Sequence, residues 1–320
     1  MVRGLKLYGG DTMRKTLTVF SALTIVAVGF AVVLLNPVGP SVIPIAGILE
    51  GKVESDVSFE VRFWSNFDQL TAGLSSEDVD IVVLPISIGA NLYARGFPIK
   101  LVAVNLWKSF YIVGKDIEVN QWEDLAGKEI YTPHGKGQTA DVVMRFVAAK
   151  HGMTVGKDIK ISYASPQEIV SLMSAGKVQL AALPEPFVTL AMKKAGAHIV
   201  IDLQELWAKE TGYKDRLPIT GIFVKKGFFE GEFSTFLSAI NALKRSTEYA
   251  RENPREVAEL TTKYIPGMPF EVLLESIKRS LYQYVYAGDV KEEILEYLKA
   301  VHSVDPEAIV AIPDEGFFAQ

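Results

Sequence analysis

The residues with the clearest capacity for chemistry sit in short loops, and the strongest of these loops is Pro133-His134-Gly135-Lys136-Gly137-Gln138-Thr139. Gly135 and Gly137 free the backbone so that amide N–H groups can turn toward a guest where a helix begins, a geometry suited to an anion or a carbonyl oxygen. The loop lacks the lysine-serine/threonine pair of a phosphate loop, and no acid stands where a dinucleotide site would need one. The simpler alternative is a glycine turn with no ligand. Glu185 lies between Pro184 and Pro186, which stiffen the backbone around its carboxylate. It could accept hydrogen bonds from a ligand amine, amide or hydroxyl, or serve as the acidic first turn of a helix. Trp64, Trp107 and Phe187 fall on three separate loops and offer flat walls to a planar or apolar guest, whereas Trp122 reads as packing.

Catalytic constellations are missing from the sequence. His134, His151, His198 and His302 are scattered without metal-ligand spacing, and no serine stands in a Gly-x-Ser-x-Gly turn. Cysteine is absent, which removes disulfides, thiolate metal sites, cysteine nucleophiles and a lipid-modified cysteine. We therefore expect no catalytic residue, no metal and no cofactor. His134, in a loop mouth, is expected at most to donate to a ligand.

These loops need elements to hold them, and the chain supplies short apolar strands separated by helical patterns, the signature of βα units and largely parallel sheets. Expected strands are 31–35, 57–63, 80–84, 99–104, 110–115, 129–132, 178–183, 198–203 and 217–224. Ser65 with Asp68 resembles a capping box that starts one helix. Further helices are expected at about 42–50, 86–95, 186–195, 232–253, 256–264, 270–281 and 291–302. The strand ends pick out the loops Pro37 to Ser41, Trp64 to Asn66, Leu84 to Ser87, Asn105 to Ser109, His134 to Thr139 and Pro184 to Phe187, because ligands bind at the carboxyl ends of strands in open parallel sheets.

One unit is written twice: Ser65 through Pro85 matches Ser165 through Pro184, and each copy continues into a helix, a turn and another apolar strand. Two copies predict a pseudo-symmetric pair of lobes rather than a solenoid. With the strands at 110–115 and 217–224 read as crossings, the first lobe is expected over 31–110 plus 216–320 and the second over 111–215. A double crossing makes a hinge between two rigid cores.

Between Lys15 and Glu50 the chain carries no charged side chain. Met13-Arg14-Lys15 followed by the apolar run Leu17 to Leu35 reads as a signal peptide or a retained membrane anchor, with Ala27, Gly29 and Ala31 permitting cleavage. Residues 1–30 are accordingly assigned to an N-terminal extension and export segment. Gly9-Gly10-Asp11 can be encoded by a ribosome-binding sequence, so translation is expected to start at Met13. A net charge of −5 without a basic tract argues against nucleic acid as a partner.

The stretch from about Val33 to Phe318 resembles the periplasmic type II solute-binding proteins of ABC transporters, in the nitrate, sulfonate, taurine and thiamine-pyrimidine-precursor class. The matching segments are Pro40-Ser41-Val-Ile-Pro44, Asp78-Val-Asp-Ile-Val-Val-Leu-Pro85, Trp122-Glu-Asp-Leu-Ala-Gly-Lys128, Ser165-Pro166, Ala175-Gly-Lys-Val178 and Leu183-Pro-Glu-Pro-Phe187. The resemblance implies an α/β fold of two lobes joined by two crossing strands. It implies ligand loops at Ser41, Trp64, Ser87, Asn105, His134 to Thr139 and Glu185. It further implies a non-enzymatic, monomeric, extracytoplasmic receptor that captures a small polar organic or anionic solute and hands it to a permease. The glycine loop departs from a serine-rich cradle, which argues against a strong-acid ligand. An enzyme on the same two-lobed fold, acting on a small carboxylate or pyrimidine-like metabolite, is the alternative reading.

Overall fold

The computed structural model describes residues 31–133 and 135–320. The expected start at Met13, the part of the export segment before Ala31, and His134 lie outside the described residues. Among the described residues no helix is long and apolar enough to cross a membrane.

The chain first lays down β1 (Val32–Pro37), a tight 3-10 turn (Pro40–Ile45) running into α1 (Ala46–Leu49), β2 (Phe59–Trp64), α2 (Phe67–Ser75), β3 (Ile81–Pro85), α3 (Ile86–Ala94) and β4 (Ile99–Lys108). It then builds β5 (Phe110–Gly114), β6 (Glu129–Thr132), α4 (Thr139–Lys150), β7 (Lys160–Tyr163), α5 (Pro166–Ser174), β8 (Leu180–Pro184), α6 (Phe187–Ala195), β9 (His198–Asp202) and α7 (Leu203–Thr211). It returns through β10 (Thr220–Lys225), α8 (Lys226–Gly231), α9 (Phe233–Glu252), α10 (Pro254–Thr261), α11 (Phe270–Arg279), β11 (Leu281–Tyr286) and α12 (Lys291–Val304).

The strands form two sheets, ordered β11-β4-β10-β3-β1-β2 and β7-β6-β8-β5-β9. In the first, β1, β2 and β3 run parallel, and β10 lies antiparallel between β3 and β4. In the second, β6, β7 and β8 run parallel, and β5 lies antiparallel between β8 and β9. The two orders superpose once β1, β2, β3, β4 and β10 are equated with β6, β7, β8, β9 and β5. Each lobe thus holds one antiparallel strand entered from the other lobe at the equivalent position, and β11 adds a second antiparallel strand at the edge of the first sheet. The doubled sequence unit folds alike in both: α2 and α5 have nine residues each, β3 and β8 five, α3 and α6 nine.

Ile81 to Leu84 and Leu180 to Leu183 are buried on both faces, which is why they read as continuous apolar runs. Close helix packing is bought with small residues. A Cβ on Gly89 of α3 would lie 2.0 Å from Cζ of Phe223 on β10, so only glycine allows that helix to sit on the sheet.

Several local expectations are corrected. The 42–50 segment opens as a 3-10 turn because Pro44 has no N–H to give to an α-helical bond. The cap of α2 is Asn66, whose side chain accepts from the Gln69 N–H, while Ser65 binds the Gln69 side chain. The expected loop Asn105 to Ser109 is mostly strand, since pairing with β10 and β11 carries β4 on to Lys108. The end of the helix expected at 270–281 becomes β11, whose Tyr282 and Tyr284 turn inward while Gln283 and Val285 are half-buried.

Candidate functional site

A cleft of about 700 Å³ opens where the carboxyl ends of the parallel strands of both sheets meet. From the first lobe it receives Pro37 to Ser41 at the end of β1 and in the turn that follows, Trp64 to Phe67 at the junction of β2 and α2, and Pro85 before α3. From the second it receives Pro133 after β6, Gln138 to Ala140 at the start of α4, Pro166 and Gln167 at the start of α5, and Pro184, Pro186 and Phe187 at the junction of β8 and α6. The floor is made where the chain passes between lobes: Ser109 and Phe110 on one crossing, Ile219 and Thr220 on the other. Equivalent loops of the repeated units therefore face each other across the cleft.

Of the residues singled out from sequence, Ser41, Trp64, Gln138 and Thr139 line this space. The Trp64 indole nitrogen is buried without a hydrogen-bond partner, as is the Ser109 hydroxyl on a residue only 1% exposed. Ser87 and Gly137 instead line a second recess of about 560 Å³ together with Arg95, Lys136 and Asp305, and Gly135 is half-buried outside both. Gly137 has φ +81°, and a Cβ there would meet Ala308 at 2.8 Å, so glycine is required on both counts. Asn105 is buried within β4, and neither of its amide atoms finds a partner.

Trp107 is not on the cleft wall. Being inside strand β4 it is fully buried, donates its indole N–H to the Gln283 carbonyl at 2.9 Å, and carries the Arg216 guanidinium 4.0 Å from its ring centroid. Arg216 in turn forks onto Glu293 of α12 at 2.7 and 2.6 Å. The expected aromatic wall is made by Trp64, Phe67, Phe110 and Phe187. Ile265, Pro266 and Met268, between α10 and α11, also line the cleft. Sequence reading missed them because they follow no strand; the turn-rich Pro266-Gly-Met-Pro269 was the available signal.

Glu185 lies beneath the cleft between two lining prolines and is 1% exposed. Its carboxylate accepts from the Thr189 N–H and hydroxyl, each at 3.1 Å, and pairs with Arg279 at the end of α11. Burial pushes its pKa above the usual carboxylate range, and Arg279 pulls it back. The backbone carbonyl of Arg279 accepts from the Tyr111 hydroxyl at 2.9 Å, and burial holds that phenol well above its ordinary value. Glu185, Thr189 and Tyr111 belong to elements of the second sheet's lobe, so this cluster joins them to α11. Lys193 and Glu275 make a second bridge between α6 and α11 at 2.8 Å. On the other flank the Trp207 and Tyr297 rings pack 6.0 Å apart, joining α7 to α12.

The NMT1-like family model matches residues 78–262. No curated protein matches the chain. Among solved structures, an ABC transporter from Parabacteroides distasonis is 26% identical with a TM-score of 0.76, covering 91% of this chain and 99% of its own. The periplasmic aliphatic sulphonate-binding protein of Escherichia coli is 14% identical with a TM-score of 0.71, covering 91% and 92%. The periplasmic nitrate-binding protein of Synechocystis is 13% identical with a TM-score of 0.63, covering 84% and 80%; at such identity the shared property is the fold.

Proposed function

The chain belongs to the NMT1-like family, and from that membership and the cleft we propose that it is the extracytoplasmic solute-binding component of an ABC importer. The observation that carries this reading is the cleft itself: equivalent loops of two lobes face one another across about 700 Å³, with both chain crossings at its floor. A solute held by both walls favours the closed arrangement by its differential affinity for it, and a permease can then distinguish loaded from empty receptor. Among the described lining residues there is no Asp, Glu, His, Lys or Arg side chain to act as acid or base or to activate a serine or threonine hydroxyl, which favours capture over turnover. Two of the neighbours are periplasmic binding proteins, for aliphatic sulphonate and for nitrate, which supports a receptor facing outward.

In this reading the hinged bodies are 31–110 with 216–320, and 111–215. Residues 1–30 direct export, or hold the receptor at the membrane if they are retained, and the receptor works as a monomer. The test is thermal unfolding of the full chain against small solutes of several classes. A ligand at a hundred times its Kd stabilises by about 2.7 kcal/mol. A saturable rise in melting temperature without loss of the compound supports the reading; conversion of the compound to a product overturns it.

A further inference from the structure

Resting on the receptor reading, we propose that the captured solute is uncharged: a ring-bearing, largely apolar molecule with one or two hydrogen-bonding groups. Three observations carry this. The first is that no described residue lining the cleft is Lys, Arg, His, Asp or Glu. An anion brought there from water would lose hydration without meeting a counter-charge from those walls.

The second concerns backbone donors. A cleft of this kind can hold an anion without any cation if helix N-termini turn free N–H groups toward it. At each start that faces the cleft the protein itself removes or engages at least one such donor, in the first turn or in the loop just before it. Proline, which has no N–H, stands at Pro40, Pro85, Pro166 and Pro186, at or just before the first turn of four helical segments. The Asn66 side chain accepts from the third residue of α2, and Ser165 does the same for α5. Ile86 at the start of α3 donates to the Ile219 carbonyl at 3.1 Å. At α6 the buried Glu185 carboxylate takes the Thr189 N–H, and at α4 the fully buried Asp141 carboxylate takes the Gly137 N–H at 2.9 Å. Two of these helix starts therefore already have a buried protein carboxylate beside their first turn, which lessens the pull of the remaining N–H groups on an anionic guest.

The third is what remains available. The indole N–H of Trp64 and the hydroxyl of Ser109 are buried, unpartnered and on the cleft wall. One is a donor, the other a donor or acceptor, and neither is charged. Around them Phe67, Phe110 and Phe187 supply aromatic surface that suits a ring. The cations Arg95 and Lys136 line the second recess, where Lys136 faces Asp305 at 3.5 Å.

The test uses matched rings that differ only in charge: benzamide, benzoate and benzenesulfonate, and nicotinamide, nicotinate and pyridine-3-sulfonate. Binding to the full chain is read by thermal shift and calorimetry at pH 8, well above the ordinary imidazole pKa of about 6.5. The inference expects the amides to bind at least about tenfold more tightly than the anions of the same ring. Trp64→Phe, which keeps an aromatic ring and removes the donor, should weaken amide binding about five- to tenfold while the free protein stays folded by circular dichroism. An anion that binds as well as its amide overturns the inference and leaves the receptor reading standing. Equal amide binding by Trp64→Phe overturns the assignment of the indole donor. Absence of binding by every ring compound of both charges overturns the inference, and binding of a ringless solute in the wider panel would then leave the receptor reading standing.

Discussion

Removing Arg279 should hurt this protein more than removing its partner Glu185, and the difference should grow with pH. In Arg279→Met the Glu185 carboxylate stays 1% exposed and loses its counter-charge, keeping only the two hydrogen bonds from Thr189. Breaking a buried pair in this way costs about 3–5 kcal/mol, and the remaining bonds place this case near 3. In Glu185→Gln the guanidinium left behind is 26% exposed and can turn to water, so the cost should be about 1–2 kcal/mol. The sign of the pH effect follows from burial. Desolvation already raises the carboxyl pKa, and the opposing influence of Arg279 is gone in the variant. A carboxyl whose folded pKa lies above its unfolded value costs nothing extra below the unfolded pKa, and its penalty grows as pH climbs from there to the folded pKa. Urea denaturation at pH 4.5 and pH 8 should therefore find Arg279→Met close to Glu185→Gln in acid and clearly less stable at pH 8. If Arg279→Met proves no less stable than Glu185→Gln at pH 8, or if the gap between them ignores pH, the buried-carboxylate account of this junction is wrong.

Other perturbations test the packing and the surface. Gly89→Ala forces a methyl group to within 2.0 Å of the buried Phe223 ring, and thermal unfolding should show a loss of at least about 1–3 kcal/mol. Arg216→Lys keeps the charge but loses the fork onto Glu293 and the stacking on Trp107; about 1–2 kcal/mol should disappear in the same assay. His151 touches Glu210 at 3.0 Å and Glu123 at 2.6 Å, and these contacts raise its pKa above the ordinary value, Glu210 most. Its stabilisation should be full below the ordinary histidine pKa and vanish as pH rises through the folded pKa, so His151→Gln should destabilise at pH 5.5 and be neutral by pH 9.

The fold was legible where burial imposes a simple pattern. Strands such as Ile81–Pro85 and Leu180–Pro184 are covered on both faces and show as unbroken apolar runs; the doubled unit around them disclosed the symmetry of the sheets. Reading failed where two sides of a strand differ or where tertiary pairing decides. The edge strand Lys160–Tyr163 is too exposed to carry a pattern. The strand Leu281–Tyr286 hides behind the amphipathic helix that precedes it. Trp107 looked like a loop residue because Asn105 interrupts the apolar run, yet pairing with β10 and β11 extends the strand past it and turns the indole into the core. For the cleft, strand ends indicated Ser41, Trp64, Gln138 and Thr139, all on the lining. That Glu185 is answered by Arg279, 94 residues away, depends on a helix docking that no local pattern records.

In a receptor of this kind two lobes close on one solute without transforming it. The most direct measurement is small-angle scattering of the full-length protein, with and without a ligand shown by calorimetry to bind, alongside mass analysis of that ligand before and after incubation. The account predicts a smaller radius of gyration at one bound molecule per chain, with the ligand recovered intact. A bound ligand that leaves the radius unchanged, or that returns as a different compound, would contradict it.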